Sequence, residues 1–157
     1  MFRAFTPAVV LFAGLAIGAQ AAEITINDPY ARAVPPGQPN SAAFLSLTNS
    51  SAQDRALVGA ASSAAGVTEL HTHVKEDGMM RMRRIDRIAL PASETVTLKP
   101  GGLHVMLIGL KQSLKPGATI DLTLIYDDGS KMSVQAPVRQ IGVPAMPHPG
   151  LTEKPNI

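Results

Sequence analysis

Apolar and polar residues alternate with a period of two along most of the chain, and no helix-length stretch carries the 3.6-residue apolar spacing of an amphipathic helix. The pattern is sharpest near the end. Ile120, Leu122, Leu124 and Tyr126 alternate with more polar residues, Asp127-Asp128-Gly129-Ser130 supplies a turn, and Met132, Val134 and Ala136 resume the alternation. Further strands are expected at Ala42 to Asn49, Asp54 to Ala61, Val67 to Val74, Met79 to Arg84, Ile88 to Leu90, Glu94 to Leu98 and Leu103 to Leu110. Between them lie segments rich in turn residues: Pro35-Pro36-Gly37-Gln38-Pro39-Asn40, Asn49-Ser50-Ser51, Ser62 to Gly66, Lys75-Glu76-Asp77-Gly78 and Lys99-Pro100-Gly101-Gly102. Eight or so short strands, each with one apolar face, must bury those faces against a second layer. The fold class is therefore all-β, a single domain built as a sandwich or flattened barrel.

Both ends depart from this pattern. Phe2-Arg3, the apolar run from Ala8 to Ile17 and the small residues Ala19-Gln20-Ala21-Ala22 read as a secretory signal, with cleavage near Ala21 or Ala22. Residues 1–22 are thus expected to be a signal peptide and 23–139 the folded domain. Residues 140–157, with Pro144, Pro147, Pro149, Gly150 and Pro155, should form a Pro-rich mobile tail. The apolar run falls short of the about 20 residues that span a bilayer comfortably. A periplasmic mature chain with no stable membrane insertion follows; a retained amino-terminal anchor is the alternative.

Charge excludes more than it assigns. The formal net charge of +2 falls to +1 once Arg3 leaves with the signal, and no basic stripe is interleaved with stacking aromatics, so nucleic acid is not an expected partner. Arg81, Arg83, Arg84 and Arg87 form one local run, readable as a solvated strand face or as a docking patch for an acidic partner. The chain has no cysteine. That removes a disulfide framework, a thiolate nucleophile, a blue-copper centre and thiol–disulfide reductase chemistry at once.

What remains is a set of soft donors. His71, Met82, His104 and Met106 follow the pattern H-x10-M-x21-H-x-M. Two imidazoles with two thioethers suit copper(I), which accepts sulfur and low coordination numbers, whereas hard cations and zinc bind thioethers poorly. A hairpin at Lys75 to Gly78 would bring Met82 back toward His71, and His104 and Met106 share one face of their strand opposite Leu103, Val105 and Leu107. Met132 belongs to the apolar row of the last hairpin. Met79 and Met80 are assigned to packing, with a reserve of ligands as the alternative.

These residues also carry a resemblance. Ala31-Arg32 to Pro36-Gly37, Glu69-Leu70-His71, Gly78-Met79-Met80-Arg81-Met82-Arg83 and Leu98 to Leu107 resemble periplasmic copper chaperones of the PCu(A)C type over nearly the whole mature chain. The resemblance implies a cupredoxin-like β fold, no enzymatic activity, and copper(I) held by His71, Met82, His104 and Met106. It also implies delivery to the binuclear copper centre of cytochrome c oxidase, in subunit II, with or without a second copper carrier. His73 stands where many members have methionine. It is read as an accessory group that helps hold copper(II), with an exposed strand histidine as the plainer reading. Met146 and His148 are a sparse version of the metal-binding extension of some members.

Three other functions are open to the same residues. One is copper buffering or tolerance. A second is a zinc hydrolase using His71, His73 and His104 with Glu76 or Asp77 as base. The third is a metal-free β-sandwich interaction module.

Overall fold

A computed structural model describes residues 23–142. It contains ten strands and no helix: β1 (Ile24–Arg32), β2 (Asn40–Asn49), β3 (Arg55–Ala61), β4 (Ala65–Glu76), β5 (Met79–Ile85), β6 (Ile88–Leu90), β7 (Thr95–Leu98), β8 (His104–Leu110), β9 (Thr119–Tyr126) and β10 (Lys131–Arg139). The expected signal segment and the residues Met146 and His148 lie outside the described residues.

Neighbouring strands run in the order β5-β4-β8-β2-β1-β10-β9-β3-β6, with β7 beside β2. Only the short β1–β10 join is parallel; every other pair is antiparallel. This path folds over so that Leu45 and Leu47 of β2, Val105 and Leu107 of β8, Leu57 of β3, and Leu122 and Leu124 of β9 enter one core cluster. Each such side chain contributes roughly 1.5–3 kcal/mol on burial. The all-β, single-domain expectation is met.

The turns follow their sequences. In the β4–β5 hairpin Asp77 and Gly78 both have positive φ, 49° and 78°. A two-residue loop of that hand matches the twist of the flanking strands. At the β9–β10 turn Asp128 accepts hydrogen bonds from the Ser130 amide and hydroxyl, 2.9 and 2.6 Å.

Two expectations need correction. β1 was not expected as a strand, because its alternation at Ile24 and Ile26 is broken at Asp28-Pro29. There a bulge shifts the register between Asn27 and Tyr30, with Asp28 at φ 44°, and Pro29 falls where no ladder amide is required. Met79 and Met80 do not pack. They are 56% and 59% exposed, because β5 is the edge strand of its sheet and nothing covers it. Met132, by contrast, packs against the core as expected.

One local feature positions the site. β7 and β8 both pair with the same edge of β2, and the chain between them must make a compact excursion. Lys99 to Leu103 does so through the bonds Lys99 N–H to Leu103 O (2.9 Å) and Gly102 N–H to Lys99 O (3.0 Å). Gly101 takes φ +80°, a left-handed conformation that favours glycine. The excursion leaves the Gly102 carbonyl beside the first residue of β8.

Candidate metal centre

β5, β4 and β8 are consecutive in the sheet, and their register aligns the soft donors on one face. Met82 lies opposite His73, His71 opposite His104, and Glu69 opposite Met106. Directly opposed side chains start about 4.5–5.5 Å apart at Cβ. The imidazole centroids follow suit: His71 to His104 is 5.8 Å and His73 to His104 is 5.2 Å. All four expected ligands and His73 therefore occupy three adjacent strands on one side of the sheet.

Hydrogen bonding decides which ring nitrogens remain for a metal. The Gly102 carbonyl, an acceptor, lies 2.9 Å from His104 Nδ1, so Nδ1 carries the proton and Nε2 carries the lone pair. The Glu69 carboxylate lies 2.8 Å from His71 Nε2, which leaves Nδ1 of that ring as the free donor atom. Among the described residues His104 Nε2 and His71 Nδ1 are both buried without a hydrogen-bond partner. An unpartnered buried acceptor costs on the order of 1–3 kcal/mol, a cost that a metal–nitrogen bond would remove. Glu69 and the Gly102 carbonyl would serve as the outer partners of these histidines if they bound a metal. The residues thus fit a soft monovalent ion.

Sequence reasoning missed these two outer partners. Glu69 was accessible to it, because a residue two before His71 shares its strand face. The Gly102 carbonyl was not, because a backbone oxygen has no letter of its own.

Burial runs as a gradient across the face. His104 is 2% exposed, covered by Phe44 (ring centroids 6.3 Å apart) and by the other two histidines, whereas Met82 is 45% exposed at the sheet edge. A cleft of about 370 Å³ opens here, lined by His73, Met82, His104, Met106, Phe44 and Arg32 among others. His71 does not line the cleft. Among the described residues no three His, Cys, Asp or Glu side chains converge as a metal-binding group, so a zinc centre of His71, His73 and His104 has no preformed counterpart.

Burial also holds His104 below the ordinary imidazole pKa. Desolvation is the main cause, opposed by the Gly102 hydrogen bond and reinforced by His73, His71 and Arg32. A group whose folded pKa is depressed contributes stability above its unfolded value, about 6.5, and that stability is lost as pH falls through the folded value. The metal-free protein should therefore melt at progressively lower temperature below pH 6.5. Calorimetry at a series of pH values checks this: His104→Leu should flatten the slope between pH 6.5 and 5, and an unchanged slope assigns the effect elsewhere.

Comparison with known proteins gives the family and the fold. The LpqE-like lipoprotein family model matches residues 24–138. The protein Lxx21020 of Leifsonia xyli subsp. xyli is 37% identical over 123 residues, covering 78% of this chain and 73% of its own. The solution structure of copper(I)-bound DR1885 from Deinococcus radiodurans superposes with a TM-score of 0.63 at 41% identity, covering 79% of this chain and 83% of that one. The copper-bound PCuAC domain of PmoF2 superposes with a TM-score of 0.66 at 24% identity over 78% of this chain and 97% of that domain, a likeness of fold. The chain belongs to the LpqE-like family, and its fold is that of PCuAC domains.

Proposed function

We propose that this protein is an extracytoplasmic copper(I) chaperone that carries the ion on His71, Met82, His104 and Met106 and delivers it to the binuclear copper centre of cytochrome c oxidase. One observation carries the reading: His104 Nε2 and His71 Nδ1 are buried, unpartnered and on the same sheet face as two thioethers. Neutral donors suit this compartment. Thioethers need no deprotonation and form no disulfides, so the site survives where a thiol pair would oxidise. Arg32 lines the cleft, and a positive neighbour penalises a divalent ion more than a monovalent one.

The burial gradient supports transfer rather than storage. An acceptor's ligands can displace Met82 at the open edge while His104 still holds the ion from inside. The copper(I) form of DR1885 supports copper(I) as the cargo. The exposed arginines of β5 outnumber the two carboxylates they pair with, Arg81 and Arg83 sharing Glu76 and Arg84 reaching Glu69, and the excess positive charge would steer an acidic acceptor.

Copper(I) titration followed by X-ray absorption of the loaded protein tests the ligand set. Sulfur and nitrogen neighbours together are expected; nitrogen and oxygen alone would overturn it. For delivery, cells lacking the protein should lose oxidase activity most when copper is scarce. Normal oxidase with impaired copper tolerance would instead identify a buffering protein.

A further inference from the structure

β5 displays more sulfur than the inner site uses. Met79, Met80 and Met82 are three of the five large hydrophobic side chains exposed among the described residues, so the apolar exposure of this fold is concentrated on one edge strand. Such clustering marks a working surface more often than chance. The register separates the three. Met82 lies opposite His73 and Met80 opposite Lys75, on the face of the cleft, whereas Met79 lies opposite Glu76 on the other face. Met80 is thus one step further out than Met82 along the same row.

His73 completes the row. It lines the cleft with Met82 and Met106, which His71 does not, and its ring is nearer to His104 than the His71 ring is. Its Nδ1 lies 3.3 Å from the Gly102 carbonyl that also receives His104, so its Nε2 carries the free lone pair. Met80 sits diagonally across the hairpin from His73, about 7–8 Å away at the backbone, within reach of a long side chain.

Resting on the chaperone reading, we propose that Met80, Met82 and His73 form a second, outer copper(I) site on the β4–β5 hairpin that takes the ion first and passes it inward. The transfer is ligand exchange. Copper stays monovalent throughout: its bonds to Met80 sulfur and His73 nitrogen break as bonds to Met106 sulfur and to the His104 and His71 nitrogens form, while Met82 remains bound. No electron or proton moves. Met80 and Met82 are exposed, which suits rapid capture, whereas His73, His71 and Met106 are part-buried and His104 is buried, which suits retention.

The test uses metal-free protein labelled with 13C at the methionine methyls and titrated with silver(I), a redox-inert stand-in for copper(I). Met82 and Met106 should shift during the first equivalent; Met80 should shift during the second, when Met80 and His73 take an ion while Met82 stays on the inner one, and Met79 should not move. In stopped-flow uptake of copper(I) from its bicinchoninate complex, Met80→Leu and His73→Gln should each slow uptake roughly fivefold or more. The affinity at equilibrium should stay within about twofold, 0.4 kcal/mol, and Met79→Leu should match the parent. A stationary Met80 methyl with parental uptake by Met80→Leu overturns the outer site alone. Stationary Met82 and Met106 methyls overturn the chaperone reading beneath it.

Discussion

His104→Leu is expected to weaken copper(I) binding tenfold or more, about 1.4 kcal/mol, while leaving the metal-free protein at least as stable as the parent. The two halves of this expectation have one cause. His104 is 2% exposed and its Nε2 has no partner, so the metal-free fold bears the desolvation of an acceptor that no protein group satisfies. Leucine has a similar size and no such atom. It suits a position that adjoins Phe44 and precedes the fully buried Val105. The Gly102 carbonyl loses its 2.9 Å partner but retains His73 Nδ1 at 3.3 Å. A binding residue that is a liability to the empty fold is the usual form of a trade between stability and function. Competition titration against a copper(I) chelator and thermal melting of the empty protein measure the two halves. Parental affinity would remove His104 from the site, and a large drop in melting temperature would show that its ring is chiefly structural. Met106→Leu, which keeps the side-chain shape and deletes the sulfur, should lose affinity similarly without touching the buried imidazole.

The largest expected loss of stability lies at the other end of β2, in Asn49→Leu. Asn49 is fully buried and every polar atom of its side chain is used. Its amide donates to the Gln53 carbonyl at 2.8 Å and the Leu90 carbonyl at 2.9 Å, and its oxygen accepts from the Ser51 amide at 3.0 Å and hydroxyl at 2.8 Å. It therefore joins the end of β2 to the β2–β3 turn and to β6. Leucine would leave the Leu90 carbonyl buried and unpaired and release the turn, a cost on the order of 3 kcal/mol. For a domain of this size that amounts to roughly 10 °C in melting temperature. Urea denaturation should show a lower midpoint with an unchanged slope. Copper(I) affinity of the folded protein should be unaffected, because seven residues of extended strand, about 23 Å, separate Asn49 from Ala42 beside Met106. A loss below about 1 kcal/mol would mean that water replaces the lost bonds.

Much of the donor face was legible before any coordinates. His104 and Met106 share a face because strands alternate, and a two-residue Asp77-Gly78 hairpin returns Met82 toward the histidines. Those are local rules, and local rules are written in neighbouring letters. β1 was not legible, because its bulge at Asp28 breaks the period on which strand detection depends. Met79 and Met80 were misread for a different reason: whether an apolar residue packs depends on whether its strand has a neighbour, and edge position is a property of the whole sheet.

By itself the sequence determined the class of fold, the absence of thiol chemistry and the alternation that puts the candidate soft donors on shared strand faces, since each depends on residue type and short-range periodicity. Only the tertiary structure decided how those donors are graded, from buried His104 to exposed Met82 and Met80, and which nitrogen of each histidine is free. Pairing β4 between β8 and the edge strand β5 creates that gradient, and a loop carbonyl from between β7 and β8 sets the His104 tautomer. The first arises from the pairing of β4 with β8, tens of residues apart in the chain; the second, though Gly102 is two residues from His104, depends on the bend that β7 and β8 impose by both pairing with β2.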